Sequence, residues 1–219
     1  MKIGILVFAE ITPMTQEQID RLQEEADKNG HTSAVLFEKN FRFQSNGNDM
    51  EIFYENERFS GFDVILSRPN FLEDASRHQF VVDALVENGY RIINTFPSIG
   101  WSKNKIDQHL MLSKAGLPLP RYAITKSALE ARAAAEDIQY PIIIKIPVGS
   151  LGCGVFYADN PESLFPICDY LTARDTRPLI IEEFVKEAQR TDIRIFVIGG
   201  KIAGAMKRSA PENDVRTNA

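Results

Sequence analysis

The sequence predicts an α/β fold that becomes α+β in its second half, and three observations carry that reading. Strand-length apolar runs alternate with amphipathic helical stretches over residues 1–95. A glycine-rich segment, 149–154, joins two further strand patterns. Gly199-Gly200 separates two more, the composition of a two-residue antiparallel turn. Strand–helix alternation builds a mostly parallel sheet with helices on its faces, whereas hairpins build antiparallel sheets. At 219 residues the chain has room for one large or two small domains and needs no disulfide or metal to bury a core.

In the first half, Lys2 to Ala9 reads as a buried strand. Thr15-Gln16-Glu17-Gln18 has the form of a capping box opening a helix, with Ile19, Leu22 and Ala26 on its apolar face and Gly30 past its end. Ser33 to Glu38 is a second strand. Residues 41–60 are polar and aromatic, with a turn at Asn46-Gly47-Asn48-Asp49 that suits a small hairpin. Phe62 to Ser67 is a strand, Asp74 to Asn88 a helix ended by Gly89, and Tyr90 to Asn94 a strand.

A helix is expected from Ser98 to Lys114, ended by Gly116-Leu117-Pro118-Leu119-Pro120, which reads as a linker. Arg121 to Thr125 is a short strand, and Ser127-Ala128-Leu129-Glu130 a second capping box for a helix to about Asp137. Tyr140 to Ile146 and Val155 to Ala158 are strands flanking the glycine loop. Asn160-Pro161 starts another helix, since proline suits the first helical position. Leu179 to Glu182 is a strand, and Ile193 to Ile198 with Lys201 to Met206 form the hairpin. The resulting domain reading is 1–95, a helix and linker over 96–120, then 121–189 and 190–219.

Several function classes are excluded or demoted. The formal charge of −5 argues against non-specific nucleic-acid binding. No apolar run approaches a membrane span, and Ile3 to Ala9 lacks the basic lead and cleavage site of a signal peptide. Two cysteines, Cys153 and Cys168, form no CxxC, and His31, His78 and His109 fall in no metal-ligand spacing. A reducing cytoplasm fits this usage. After the first strand the chain has neither GxGxxG nor GxxxxGK[ST], so a nicotinamide oxidoreductase and a Walker-type nucleotide site are both demoted.

The richest stretch runs from Pro141 through Lys145 to Gly154. Gly149, Gly152 and Gly154 let backbone N–H groups approach an anion, and Lys145 adds a point charge suited to phosphate. A plain hairpin is the competing reading; an unpaired lysine among isoleucines would be costly to bury, which favours a site. Glu182, Glu183, Phe184 and Val185 leave an apolar strand and could read an adenine edge and face, or be a solvated strand end. Asp192 and Arg194 suit a surface ion pair. Of Lys207 and Arg208, on opposite faces of one strand, at most one enters a given site. Cys153 has no visible base beside it and reads as a small filler.

Taken in order, these motifs resemble the ATP-grasp ligases, and among them the RimK-type α-L-glutamate ligases that add glutamate to a ribosomal protein. The matching residues are Ile93-Asn94, Asn104-Lys105, Ala115 to Pro120, Tyr140 to Lys145, Gly149 to Gly154, Glu182 to Ala188, Asp192-Ile193-Arg194 and Asp214 to Asn218. The resemblance implies an N-terminal Rossmann-like pre-ATP-grasp domain followed by an ATP-grasp domain: its central small part over 121–189 and the start of its C-terminal part over 190–219. It implies that Lys105 and Lys145 hold ATP phosphates, covered by a flexible loop that includes Gly149, Ser150, Gly152 and Gly154. Glu182, Glu183, Phe184 and Val185 would line the adenine site and Asp192 would contact the ribose. Arg216 and Asn218 would hold phosphate and the reacting acyl phosphate.

The family usually has Asp where this chain has Asn104. Its magnesium ligands, an acid pair and an asparagine, lie past the Arg-x-Asn motif, so no metal ligand is expected before Ala219. The chain is therefore expected to be a fragment of a longer enzyme or a non-catalytic relative. The implied function is an ATP- and Mg2+-dependent carboxylate–amine ligase acting on glutamate and a peptide, protein or amino acid, with self-association open. The alternative is an ATP-binding scaffold of the same fold without turnover.

Overall fold

The computed structural model describes residues 1–47, 49–69, 75–149, 152–174 and 178–217. The chain forms two compact units, Met1–Lys103 and Asn104–Ala219. Both strands and helices are present, as the alternation predicts; the four-stranded sheet of the first unit is parallel, and the sheets of the second are antiparallel.

The first unit is built on a four-stranded parallel sheet in the order β2-β1-β6-β7, from β1 (Lys2–Val7), β2 (Thr32–Phe37), β6 (Val64–Arg68) and β7 (Ile92–Ile93). Period-two alternation divides β1 between two cores. Ile5 and Val7 pack with Ile19 of α1 (Pro13–Lys28), while Leu6 packs with Val81, Val82 and Leu85 of α2 (Gln79–Glu87).

The start of α1 differs from the expected capping box. Thr12 is the cap, its hydroxyl accepting from Thr15 N–H at 3.2 Å, because Pro13 suits the first helical position and needs no partner for an N–H. Residues 41–58 exceed the expected hairpin. They form a three-stranded antiparallel sheet of β3 (Phe41–Ser45), β4 (Met50–Tyr54) and β5 (Glu57–Arg58). The last turn places Glu55 and Asn56 at positive φ, which two non-glycine residues do not advertise. The strand expected over 90–94 shrinks to Ile92–Ile93, since Asn94 is left-handed (φ 64°).

The helix expected over 98–114 is two helices, α3 (Phe96–Lys103) and α4 (Lys105–Lys114). Asn104 is extended, bridges to Val148, and caps α4 by accepting from Ile106 N–H at 3.0 Å. Asn and Asp cap a helix about equally well, so Asn104 serves this position as Asp would.

The second unit holds a sheet in the order β10-β9-β11-β8, antiparallel throughout, from β8 (Tyr122–Thr125), β9 (Ile142–Lys145), β10 (Val155–Ala158) and β11 (Leu179–Glu183). Ile142, Ile144, Leu179 and Ile181 bury one face under α5 (Ala128–Ile138) and α6 (Pro161–Arg174), against Ala131, Ala135, Leu164 and Cys168. Both helices start as predicted: Ser127 accepts from Glu130 N–H, and Asn160 accepts from Ser163 N–H. The alternate residues Ile143, Lys145 and Glu182 therefore emerge on the other face. The predicted hairpin is β12 (Thr191–Ile198) and β13 (Lys201–Ser209), with Gly199 and Gly200 both at positive φ.

Gly154 is fixed by two constraints. Its φ is +76°, and a Cβ there would lie 2.2 Å from Ile146 Cγ1. Gly154→Ala should lower stability by about 3 kcal/mol through backbone strain and overpacking combined. Urea unfolding checks this; a change below about 0.5 kcal/mol would remove the packing argument.

Candidate functional site

The open face of the second unit's sheet carries a cavity of about 580 Å³, in the range of small-molecule sites. Antiparallel pairing brings its polar residues together. Lys145 lies opposite Ile180, and Glu182 opposite Ile143, so Lys145 and Glu182 are diagonal neighbours on one face. Lys145 Nζ donates to Glu182 Oε1 at 2.6 Å. The lysine is thus paired, which corrects the expectation of an unpaired charge among isoleucines. Glu182 is itself buried, so its charge requires that partner.

The other Glu182 oxygen meets His109. His109 Nε2 lies 2.9 Å from Glu182 Oε2, and Nδ1 lies 2.7 Å from the Lys105 carbonyl, to which it donates. The ring also packs edge-on against Tyr122, which pairs with Glu182 across the sheet. His109 was absent from the sequence-based candidates. The available signal was its i,i+4 spacing from Lys105, which puts both on one helix face.

The N-terminus of α4 is pinned to the glycine segment. Lys105 N–H donates to Pro147 O at 2.9 Å, and Lys105 Nζ lies 3.4 Å from Gly149 O. Burial, and secondarily the charge of Lys145, hold the Lys105 ammonium below the usual lysine range. A Cβ on Gly149 would lie 2.6 Å from Cys153 O, and Gly152 is left-handed at φ +72°. The segment therefore needs glycines to make its close turns. Ser150, named as a candidate, lies outside the described residues, as does Asn218.

The remaining walls come from the segment after β11, the hairpin and the C-terminal stretch. Glu183 receives Arg121 Nε at 2.7 Å, which holds its carboxyl below the usual range. Phe184 meets Tyr157 edge-on at 5.4 Å. Asp192 pairs with Arg208 through two bonds, at 2.7 and 2.6 Å, and accepts from Thr217. The Arg208 bonds, more than any other contact, hold the Asp192 carboxyl low. The expected Asp192–Arg194 pair gives way to this cross-strand one, because register places Arg208 directly opposite Asp192. Arg208, not Lys207, is the one that lines the cavity. Arg216 clasps Asp214, holding that carboxyl well below its ordinary range, and its Nη1 approaches Gly152 O at 3.5 Å.

Lys105, Lys145, Glu182, Glu183, Phe184, Val185, Asp192 and Arg216 thus line one cavity, with Gly149, Gly152 and Gly154 in the adjoining segment. Arg190 joins them unannounced: Gln189 and Arg190 are both left-handed, a turn that non-glycine residues rarely signal. Among the described residues the lining carries five basic side chains against three acids, each acid already tied to a cation. Such a surface suits an anionic ligand with several phosphate groups. Among the described residues no cluster of three His, Cys, Asp or Glu could hold a metal ion.

Both cysteines are free thiols. Cys153 is exposed in the glycine segment, while Cys168 is buried and its thiol is pushed up to about 11 by that burial. Among the described residues no helix is long and apolar enough to cross a membrane.

Comparison with known proteins assigns the family. Residues 102–219 match the RimK-like ATP-grasp domain. The chain is 32% identical over 212 residues to the "Probable alpha-L-glutamate ligase" of Histophilus somni (strain 2336), covering 90% of this chain and 68% of that protein. It is 31% identical over 206 residues to the protein of the same name from Hydrogenovibrio crunogenus, covering 90% and 65%. Among solved structures, the RimK domain ATP-grasp protein from Sphaerobacter thermophilus aligns with a TM-score of 0.69 at 16% identity, over 92% of this chain and 71% of that one. D-alanyl-alanine synthetase A from Vibrio cholerae aligns with a TM-score of 0.69 at 12% identity, over 97% and 68%. These alignments carry the ATP-grasp fold, and with the sequence match they establish that this chain belongs to the RimK-like ATP-grasp family of ligases.

Proposed function

We propose that the cavity binds ATP and that the chain serves a carboxylate–amine ligation, with glutamate as one substrate and a peptide, protein or amino acid as the other. The observation that supports this most is the convergence of Lys105, Lys145, Arg190, Arg208 and Arg216 on one cavity beside the glycine segment. ATP supplies the phosphoryl group that converts a carboxylate into an acyl phosphate, on which an amine then attacks to give an amide, ADP and phosphate. The residues of the chain position and neutralise charge.

In this reading Lys105 and Lys145 bind phosphate oxygens, and Gly149, Ser150, Gly152 and Gly154 offer backbone N–H groups. Glu183, Phe184 and Val185 border the adenine, and Asp192 borders the ribose. Arg216 and Asn218 stand at the reacting phosphate. Glu182 has both oxygens engaged, so its part is to hold Lys145. The domain assignment follows: 1–95 precedes the nucleotide domain, 121–189 forms its central part and 190–219 continues it. Magnesium is the metal this family's chemistry implies. The described residues offer it no ligand cluster, so no step here depends on it.

Isothermal titration of the chain with ADP, with and without magnesium, tests the nucleotide assignment. Measurable binding is expected in both; heat changes indistinguishable from dilution in both would refute it. Glutamate-dependent phosphate release from ATP, raised by an added peptide carboxylate, tests the ligation.

Lys145→Met should weaken ADP binding by at least about 100-fold, about 2.7 kcal/mol. It should also cost about 3 kcal/mol of stability, because Glu182 is left buried with one partner. The double variant Lys145→Met/Glu182→Gln should recover most of the stability and none of the affinity. Affinity returning with stability would mean that Lys145 serves packing alone.

A further inference from the structure

His109 is placed between two acceptors. The Lys105 carbonyl can only accept, so Nδ1 carries a hydrogen. The other ring nitrogen, Nε2, faces Glu182 Oε2 at 2.9 Å, and Glu182 Oε1 already accepts from the Lys145 ammonium at 2.6 Å. A neutral ring with its hydrogen on Nδ1 would point a lone pair at a carboxylate lone pair. The contact closes only if the pair holds one proton more, and a carboxylate that already accepts from an ammonium is the poorer place for it. We infer that His109 is held as an imidazolium and is a positioning residue for the phosphate-binding lysine, acting through Glu182. The inference rests on the nucleotide reading of this cavity and deepens it.

The consequence is electrostatic. With His109 charged, Glu182 is neutralised from the helix side, and the positive charge of Lys145 remains available to a phosphate. With a neutral ring, Glu182 and Lys145 would cancel each other and the site would hold one positive charge fewer. Among the described residues the surroundings do not offer a substitute. Facing the ring are Lys105 from its own helix, Tyr122 from β8 and Glu182 from β11, with Lys145 from β9 behind Glu182. Glu183 is committed to Arg121, and Asp192 to Arg208. His109 is 8% exposed and Glu182 7%, so solvent screens this exchange weakly.

Glutamine at 182 separates the roles. Its carbonyl can accept from Lys145 while its amide donates to a neutral His109 Nε2, keeping the geometry without the extra proton. Glu182→Gln should therefore keep the contact geometry and leave His109 neutral, with its hydrogen on Nδ1 alone. His109→Gln should weaken ADP binding about tenfold, because the neutral amide removes the charge that offsets Glu182.

The test joins two measurements on the 219-residue chain. Nitrogen-15 NMR of the imidazoles in the nucleotide-free protein has only His31, His78 and His109 to distinguish, and loss of a signal in His109→Gln assigns the third. Both nitrogens protonated at neutral pH in the wild type, and one only in Glu182→Gln, is the expected result. ADP titration of the wild type and of His109→Gln supplies the affinity ratio. A neutral His109 in the wild type, or equal ADP affinity in the wild type and His109→Gln, overturns the inference. An imidazolium spectrum with no ADP bound at any pH would overturn the nucleotide reading and leave the assignment of His109 standing.

Discussion

The second unit depends on the buried carboxylate of Glu182. Strand alternation sends Lys145 to the sheet face that α5 and α6 do not cover, and a lysine there needs a counter-charge. Glu182 provides it only because β9 and β11 pair in one register; a one-residue slip would turn Glu182 into the packed face under the helices. The same carboxylate reaches across to α4 through His109, so one side chain ties two strands and a helix around the cavity. Stability and charge placement are coupled at this point.

What could be read from the sequence was what is local. The Ser127 and Asn160 caps, the Gly199-Gly200 turn and the strands around the glycine segment each rest on residues within a few positions of one another. The break at Asn104 escaped notice because its cause is Val148, a partner brought near only by folding. Lys145 and Glu182 are 37 residues apart and His109 and Glu182 73 apart, so their meeting depends on sheet register and helix docking. The cavity wall was legible as a set of motifs, and its pairing scheme was not. Arg208 illustrates both: period two limited the site to at most one of Lys207 and Arg208, and register decided which.

The glycine segment shows how a short stretch can be specified by sterics alone. Gly149 and Gly154 are each excluded to larger residues by neighbouring atoms, one by the Cys153 carbonyl and the other by the Ile146 side chain. Ile146 N–H donates to Gly154 O, and Val155 N–H to Gly152 O, so the ends of the segment are closed by its own backbone. The Lys105 N–H on Pro147 O ties the start of α4 to the same stretch, and Gly152 O lies 3.5 Å from Arg216 Nη1.

The two thiols give this architecture an experimental use. A maleimide dye would find Cys153 on the surface of the glycine segment and would be denied Cys168, which is sealed in the core and resists ionisation. The native chain is therefore addressable at a single position without mutagenesis. A fluorophore placed there would sit close to Arg216 and report optically on whatever enters the cavity.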